Sequence, residues 1–199
     1  FASPQALQEA WNAGMLDAAR LPAGSFARLP DGVSWQALDF PGDDYVLVYY
    51  NLMRRPLKDV NVRKALAMAL DRASIAQQAS PMGATVLDGT LLPAHWAMQA
   101  AGVSLPAFDP HQAGNLLTAA GWTDADGDGL RSHNEQPLAL NVVTNGGNPL
   151  RMATAALVAQ SYRQVGIESE VHYVDWGVFL DQLFRHDFDV AVLSWPFPL

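Results

Sequence analysis

An α/β fold, with helices covering the faces of a β-sheet, is what this 199-residue sequence predicts. From Leu138 to Ser194, runs with a two-residue period alternate with stripes of 3.6-residue period, joined by short connections. Residues 45–72 show the same change of period: the aromatic and β-branched run Tyr45–Tyr50 passes through Asn51 and a basic turn into an amphipathic helix. Strand–helix–strand units of this kind make right-handed crossovers that lay their helices against the sheet. A composition of 50% hydrophobic and 16% charged residues supplies the core such a fold needs.

In order along the chain, residues 5–19 carry Ala6, Leu7, Ala10 and Trp11 ahead of Gly14, which predicts a helix with a glycine stop. Pro22, Gly24, Pro30, Gly32 and Pro41 punctuate the next stretch, leaving loops and one short strand near Val33–Phe40. Val62, Ala65, Leu66, Ala69 and Leu70 then fall on one helix face, with Lys64 and Arg72 expected in water and Asn61 or Asp59 as the cap. After a Gly- and Pro-rich crossing, Asp109-Pro110 opens a helix that ends at Gly121. There follow a strand over Leu138–Thr144, a helix over Leu150–Val165, a strand over Ile167–Val174, a helix over Trp176–Arg185 and a strand over Phe188–Ser194. In the last helix Asp175 is the capping candidate, and Trp176, Phe179, Leu180, Leu183 and Phe184 form a stripe expected in the core. Trp96, Trp122, Tyr49 and Tyr50 read as core or hinge packing.

Charge and motifs narrow the function. Twelve Lys and Arg against twenty Asp and Glu give a net charge of −8, which opposes nucleic-acid phosphates and anionic membrane surfaces. No run approaches the roughly 18 apolar residues of a membrane span, and the first residues lack a leader-like pattern. Without cysteine there is neither a disulfide nor a thiolate site. The five histidines show no metal-ligand spacing, and no nucleophile elbow or phosphate loop occurs, so no catalytic residue is assigned. Asp187 and Asp189 share one strand face, but that alone does not make an acid pair.

Asn51, Pro56, Asp59, Val62-Arg63, Ala65, Ala69 and Asp71-Arg72, in that order, resemble the family 5 extracellular solute-binding proteins of ABC transporters, the oligopeptide, dipeptide and nickel group. The segment GTLLPAHW and the stretch from Ala119 to Trp195 are similar to that family as well, so the resemblance covers roughly residues 45–195. It implies one lobe of a type II periplasmic-binding fold, helices on a mixed β-sheet. Residues 1–44 would be the tail of a first lobe and the hinge approach, and residues 45–199 a second lobe incomplete at its C-terminus. The whole receptor would be extracytoplasmic, lipid-anchored or secreted, closing on a peptide or other small solute and delivering it to ABC permease subunits. Rival readings are a ligand-sensing domain of a transcriptional or signalling regulator and a metal-assisted hydrolase.

Three candidate sites follow. Asp124, Asp126, Asp128, the Leu130 carbonyl and Glu135 match the spacing of a calcium loop. A structural Ca²⁺ there, with no other cofactor required, stands against a solvated acidic turn, and Arg131 and the strand that follows depart from an EF-hand. The loop from Thr144 to Arg151 leaves a strand's carboxyl end and enters a helix, where ligands of open α/β sheets bind. The resemblance places that loop at the cleft, making Asn145, Asn148 and Arg151 candidate contacts, and it matches Trp195 to a cleft tryptophan. It also sets Val192 and Pro198 where oligopeptide binders carry an Arg and an Asp, which departs from a charged peptide clamp.

Overall fold

The computed structural model describes residues 1, 4–19, 36, 44–80, 83–89, 91, 96 and 104–196. The strand expected near Val33–Phe40, but for Gln36, and Pro198 lie outside these residues, as does most of the GTLLPAHW segment. The chain divides into two compact units, Phe1–Gly42 and Asp43–Leu199. In the first, helix α1 runs over Pro4–Asn12 and stops at Gly14, whose φ of +68° suits a residue without Cβ. It is shorter than the periodicity suggested.

The second unit holds β1 (Asp44–Tyr50), α2 (Arg55–Lys58), α3 (Val60–Met68), α4 (Arg72–Ala79) and α5 (Pro110–Ala119). A small hairpin follows, β2 (Ser132–His133) with β3 (Gln136–Pro137). Then come β4 (Val142–Asn145), α6 (Pro149–Gln164), β5 (Val171–Val174), α7 (Trp176–Phe184) and β6 (Val190–Pro196). The main sheet is mixed, in the order β1-β6-β4-β5, with β4 parallel to both neighbours and β1 antiparallel to β6. From β4 the chain steps one way to β5, then back past β4 to β6. Right-handed crossovers therefore put α6 and α7 on opposite faces.

The two cores match that arrangement. Val142, Val190 and Val192 face α6 through Ala155, Val158, Ala159 and Tyr162, a cluster continued by Val62, Ala65 and Leu66 of α3 and Ala113 and Leu117 of α5. On the other face Val143, Ala191 and Leu193 meet Phe179 of α7 in a smaller cluster. The α6 face thus holds most of the buried apolar area that stabilises the unit.

Several local expectations are corrected. The helix after the basic turn is two helices. Asp59, not Asn61, caps α3 by accepting the Asn61 amide at 2.7 Å, and Asp71 ends the run by capping α4 through the Ser74 amide at 3.1 Å. Ala69 and Leu70 stay buried across the break, so the apolar stripe survives. Arg72 is not in open water: its guanidinium donates to the carbonyls of Ala67 (3.2 Å) and Pro106 (2.7 Å). In α7 only Phe179 is fully buried, while Trp176 and Phe184 are 50% and 81% exposed, because the short second core offers contacts to one turn of that helix. Tyr49 and Trp96 are exposed and outside the core, whereas Tyr50 and Trp122 do lean on the main core.

Candidate functional site

The parallel strands β4, β5 and β6 deliver their carboxyl ends to one edge of the sheet. The connection after β4 leads to the α6 face and the connection after β5 to the α7 face, so these adjacent strands form a topological switch point, the place where open α/β sheets bind their ligands. Two backbone facts fix its geometry. The Gly146 amide donates to the Val174 carbonyl at 2.7 Å, joining the two loops at their base. Asn148 caps α6, its Oδ1 accepting the Arg151 amide at 3.0 Å.

Arg151 is the centre of the side-chain arrangement. Its Nη1 donates to Asn145 Oδ1 at 2.7 Å, its Nε donates to Ser194 Oγ at 3.0 Å, and its guanidinium carbon lies 5.5 Å from the centroid of the Trp176 ring. It therefore ties the ends of β4 and β6 to the start of α7. Asn145 is buried and also donates from Nδ2 to the Gly146 carbonyl at 3.0 Å. One step deeper, Thr144 Oγ1 donates to the Val192 carbonyl at 2.8 Å, holding β4 against β6. Val192 itself is fully buried, so it offers the site no side chain.

Trp195 is 53% exposed. Because Ala191 and Leu193 pack in the Phe179 cluster, two-residue alternation places Trp195 on the α7 face, the face on which Trp176 begins α7. The ends of β5 and β6 stand two strand spacings, about 10 Å, apart. Both half-exposed tryptophans thus stand on one face at the carboxyl end of the sheet, on either side of β4. Sequence reasoning assigned Trp176 to the core. The signal it missed is position, since the first residue of a helix entered from a parallel strand stands at the ligand end of the sheet.

The acidic turn lies elsewhere. Ligand oxygens of Asp124, Asp126 and Asp128, all exposed, come within 4.8 Å of one another. Asp124 accepts the amides of Gly127 (2.8 Å) and Gly129 (3.1 Å), and Asp128 accepts that of Leu130 (2.7 Å). Glu135 is not in this group: with Asn134 it forms the left-handed pair (φ +63° and +52°) that turns the β2–β3 hairpin. Leu130 is exposed, and Arg131, which departs from the EF-hand pattern, pins the turn by donating to the carbonyls of Val165 (2.8 Å) and Trp122 (2.9 Å).

Asp187 and Asp189 are both held by Arg54, at 3.0 and 3.2 Å, and Asp189 also accepts the Asn141 amide at 3.1 Å. Beside them the buried Asn51 donates to the carbonyls of His186 (2.8 Å) and Phe188 (2.7 Å) and accepts the Met53 amide (3.0 Å). These groups are a clamp joining the end of β1 to the entry of β6, not an acid pair free for chemistry.

Among the described residues, no helix is long and apolar enough to cross a membrane. The family profile of bacterial extracellular solute-binding proteins, family 5 (middle), matches residues 1–198. The oligopeptide-binding protein AppA of Bacillus subtilis (strain 168) is 31% identical over 155 residues, which are 76% of this chain and 28% of that protein. The nickel-binding periplasmic protein of Escherichia coli (strain K12) is 27% identical over 148 residues, 74% of this chain and 28% of that protein. Among solved structures, NikZ from Campylobacter jejuni in complex with Ni(L-His) superposes with a TM-score of 0.80 at 26% identity, covering 99% of this chain and 38% of that one. AppA from Bacillus subtilis in complex with a nonapeptide superposes with a TM-score of 0.77 at 25% identity, covering 98% and 39%. The chain therefore spans less than a third of the length of the curated relatives it matches. With the profile running over nearly every residue and the mixed sheet shared with these structures, the chain belongs to the family 5 bacterial extracellular solute-binding proteins.

Proposed function

We propose that this chain is part of an extracytoplasmic receptor that holds a peptide or other small solute and passes it unchanged to an ABC permease. In this reading Asp43–Leu199 is a lobe whose carboxyl sheet edge lines the cleft, and Phe1–Gly42 belongs to the approach from the other lobe. The observation that carries the reading is the grouping, at the switch point of the sheet, of the Arg151–Asn145–Ser194 network and the half-exposed rings of Trp176 and Trp195. Asn145, Asn148 and Arg151 shape the wall, and the rings supply contact area. The named ligands of relatives, a nonapeptide and nickel–histidine, set the first solutes to try. Calorimetric titration of the full-length receptor with a peptide panel and with nickel–histidine tests it. One of these binds, and Trp195→Ala weakens that binding by about tenfold, the loss of one well-packed aromatic contact. Binding that ignores Trp195→Ala contradicts the reading.

A further inference from the structure

The two faces of the main sheet are covered unequally. On one, the cluster under α3, α5 and α6 takes in all four strands, through Val48, Val192, Val142 and Val171. On the other, α7 is the one helix among the described residues of the second unit, and its Phe179 packs with Val143, Ala191 and Leu193 of β4 and β6. A helix about 10 Å across spans roughly two strand spacings, so α7 leaves β1, at the edge of the sheet, without a cover on that side. Leu47 of β1 leans on the Phe179 cluster, and two-residue alternation puts Tyr49, which is 44% exposed, on the same face. Phe184, 81% exposed, stands at the same end of that face, because Asn51, just after β1, holds the His186 and Phe188 carbonyls just after α7.

The sequence of β1 does not suit an open face. A strand with water on one side alternates apolar and polar residues, whereas Tyr45–Tyr50 reads YVLVYY, apolar on both sides, as strands buried between two layers do. We infer that the α7 face over β1 and beside Phe184 is the seat of a second helix, apolar on one side, supplied by receptor sequence outside residues 1–199. Helices laid side by side at about 8–10 Å are how such sheet faces are closed. The same polypeptide is the nearest source of one: the matched residues are 28% of AppA and 28% of the nickel-binding protein, and a tethered segment of so long a receptor acts at high effective concentration. The inference rests on the reading of this chain as part of a longer receptor. It does not rest on the solute site, since Tyr49 pairs with Ala191 near the start of β6, away from the carboxyl edge of the sheet.

The test uses the full-length receptor without solute. Phe184→Ser should lower its melting temperature by several degrees, whereas the same change at a side chain in open water would leave it nearly unchanged. Phe184→Cys should react with a maleimide about tenfold more slowly than Asp126→Cys on the exposed acidic turn, and the two rates should converge in denaturant. Phe184→Cys labelling as fast as Asp126→Cys, or Phe184→Ser melting with the wild type, overturns the inference. So does protection that is lost on dilution to the monomer, which would assign the face to a second copy of the chain. The peptide-panel and nickel–histidine titrations report separately on the solute site, and their failure would leave slow labelling at residue 184 unexplained by anything but the helix.

Discussion

Tyr50 and Tyr162 come from β1 and α6 and meet at their hydroxyls, 3.1 Å apart, inside the main core. Burial raises both phenols above their ordinary 10.0, and for Tyr162 the neighbouring Tyr50 pushes in the same direction. Each is therefore held neutral by the fold. Their contribution to stability is fully present below pH 10.0 and is lost as the pH climbs from there through the raised folded values. The melting temperature should fall at alkaline pH, and the Tyr50→Phe/Tyr162→Phe double variant should fall less steeply. Tyr162→Phe alone leaves the Tyr50 hydroxyl without its partner and should cost about 1–3 kcal/mol in denaturant unfolding, more than the double change. A single variant as stable as the wild type would show that the pair is dispensable.

At the scale of elements, the sequence showed most where period and capping agreed. The span of α6 with its Asn148 cap, the Asp109-Pro110 start of α5, and the burial of Ile167 and Ser169 in the alternating run Ile167–Val174 follow from local residue order, although Tyr173, on the same face of that run, is 47% exposed. It misread α7, because an apolar stripe records only what could be buried, and the second core is too small to cover Trp176 and Phe184. The Asn51–Arg54–Asp189 clamp was equally hidden, since its partners stand more than a hundred residues apart and carry no local signal. The connection from α6 to β5 turns on Gly166, at φ +84°, where an added Cβ would lie 3.0 Å from Arg131 Cγ and 3.1 Å from the Gly129 carbonyl. Gly166→Ala should destabilise by more than about 1 kcal/mol and loosen the acidic turn, whereas Gly127→Ala, with open space around it, should pay only the backbone cost. The turn itself is shaped by amide-to-carboxylate bonds, and three carboxylates so close would still repel one another. Chelator should leave the melting temperature unchanged. A rise on adding millimolar Ca²⁺ that Asp126→Asn abolishes would instead assign the turn to a structural metal.

For the molecule as a whole, the two ends of the sheet differ in kind. One end, with Asn51, Arg54, Asp187 and Asp189, is closed by ion pairs and buried amides, and the other presents aromatic rings around an arginine network. The candidate loop from Asn145 to Arg151 was legible in the sequence because a strand end, a glycine pair and a cap stand together. Its neighbour after β5 was not, because only the strand order shows that β4 and β5 send their loops to opposite faces. Hydrogen exchange of the full-length receptor, with and without a solute found by titration, tests this most directly. New amide protection is expected in residues 145–151, 174–177 and 194–196. Protection confined to residues 51–58 or to the acidic turn at 124–130, with the strand ends exchanging as before, would contradict it.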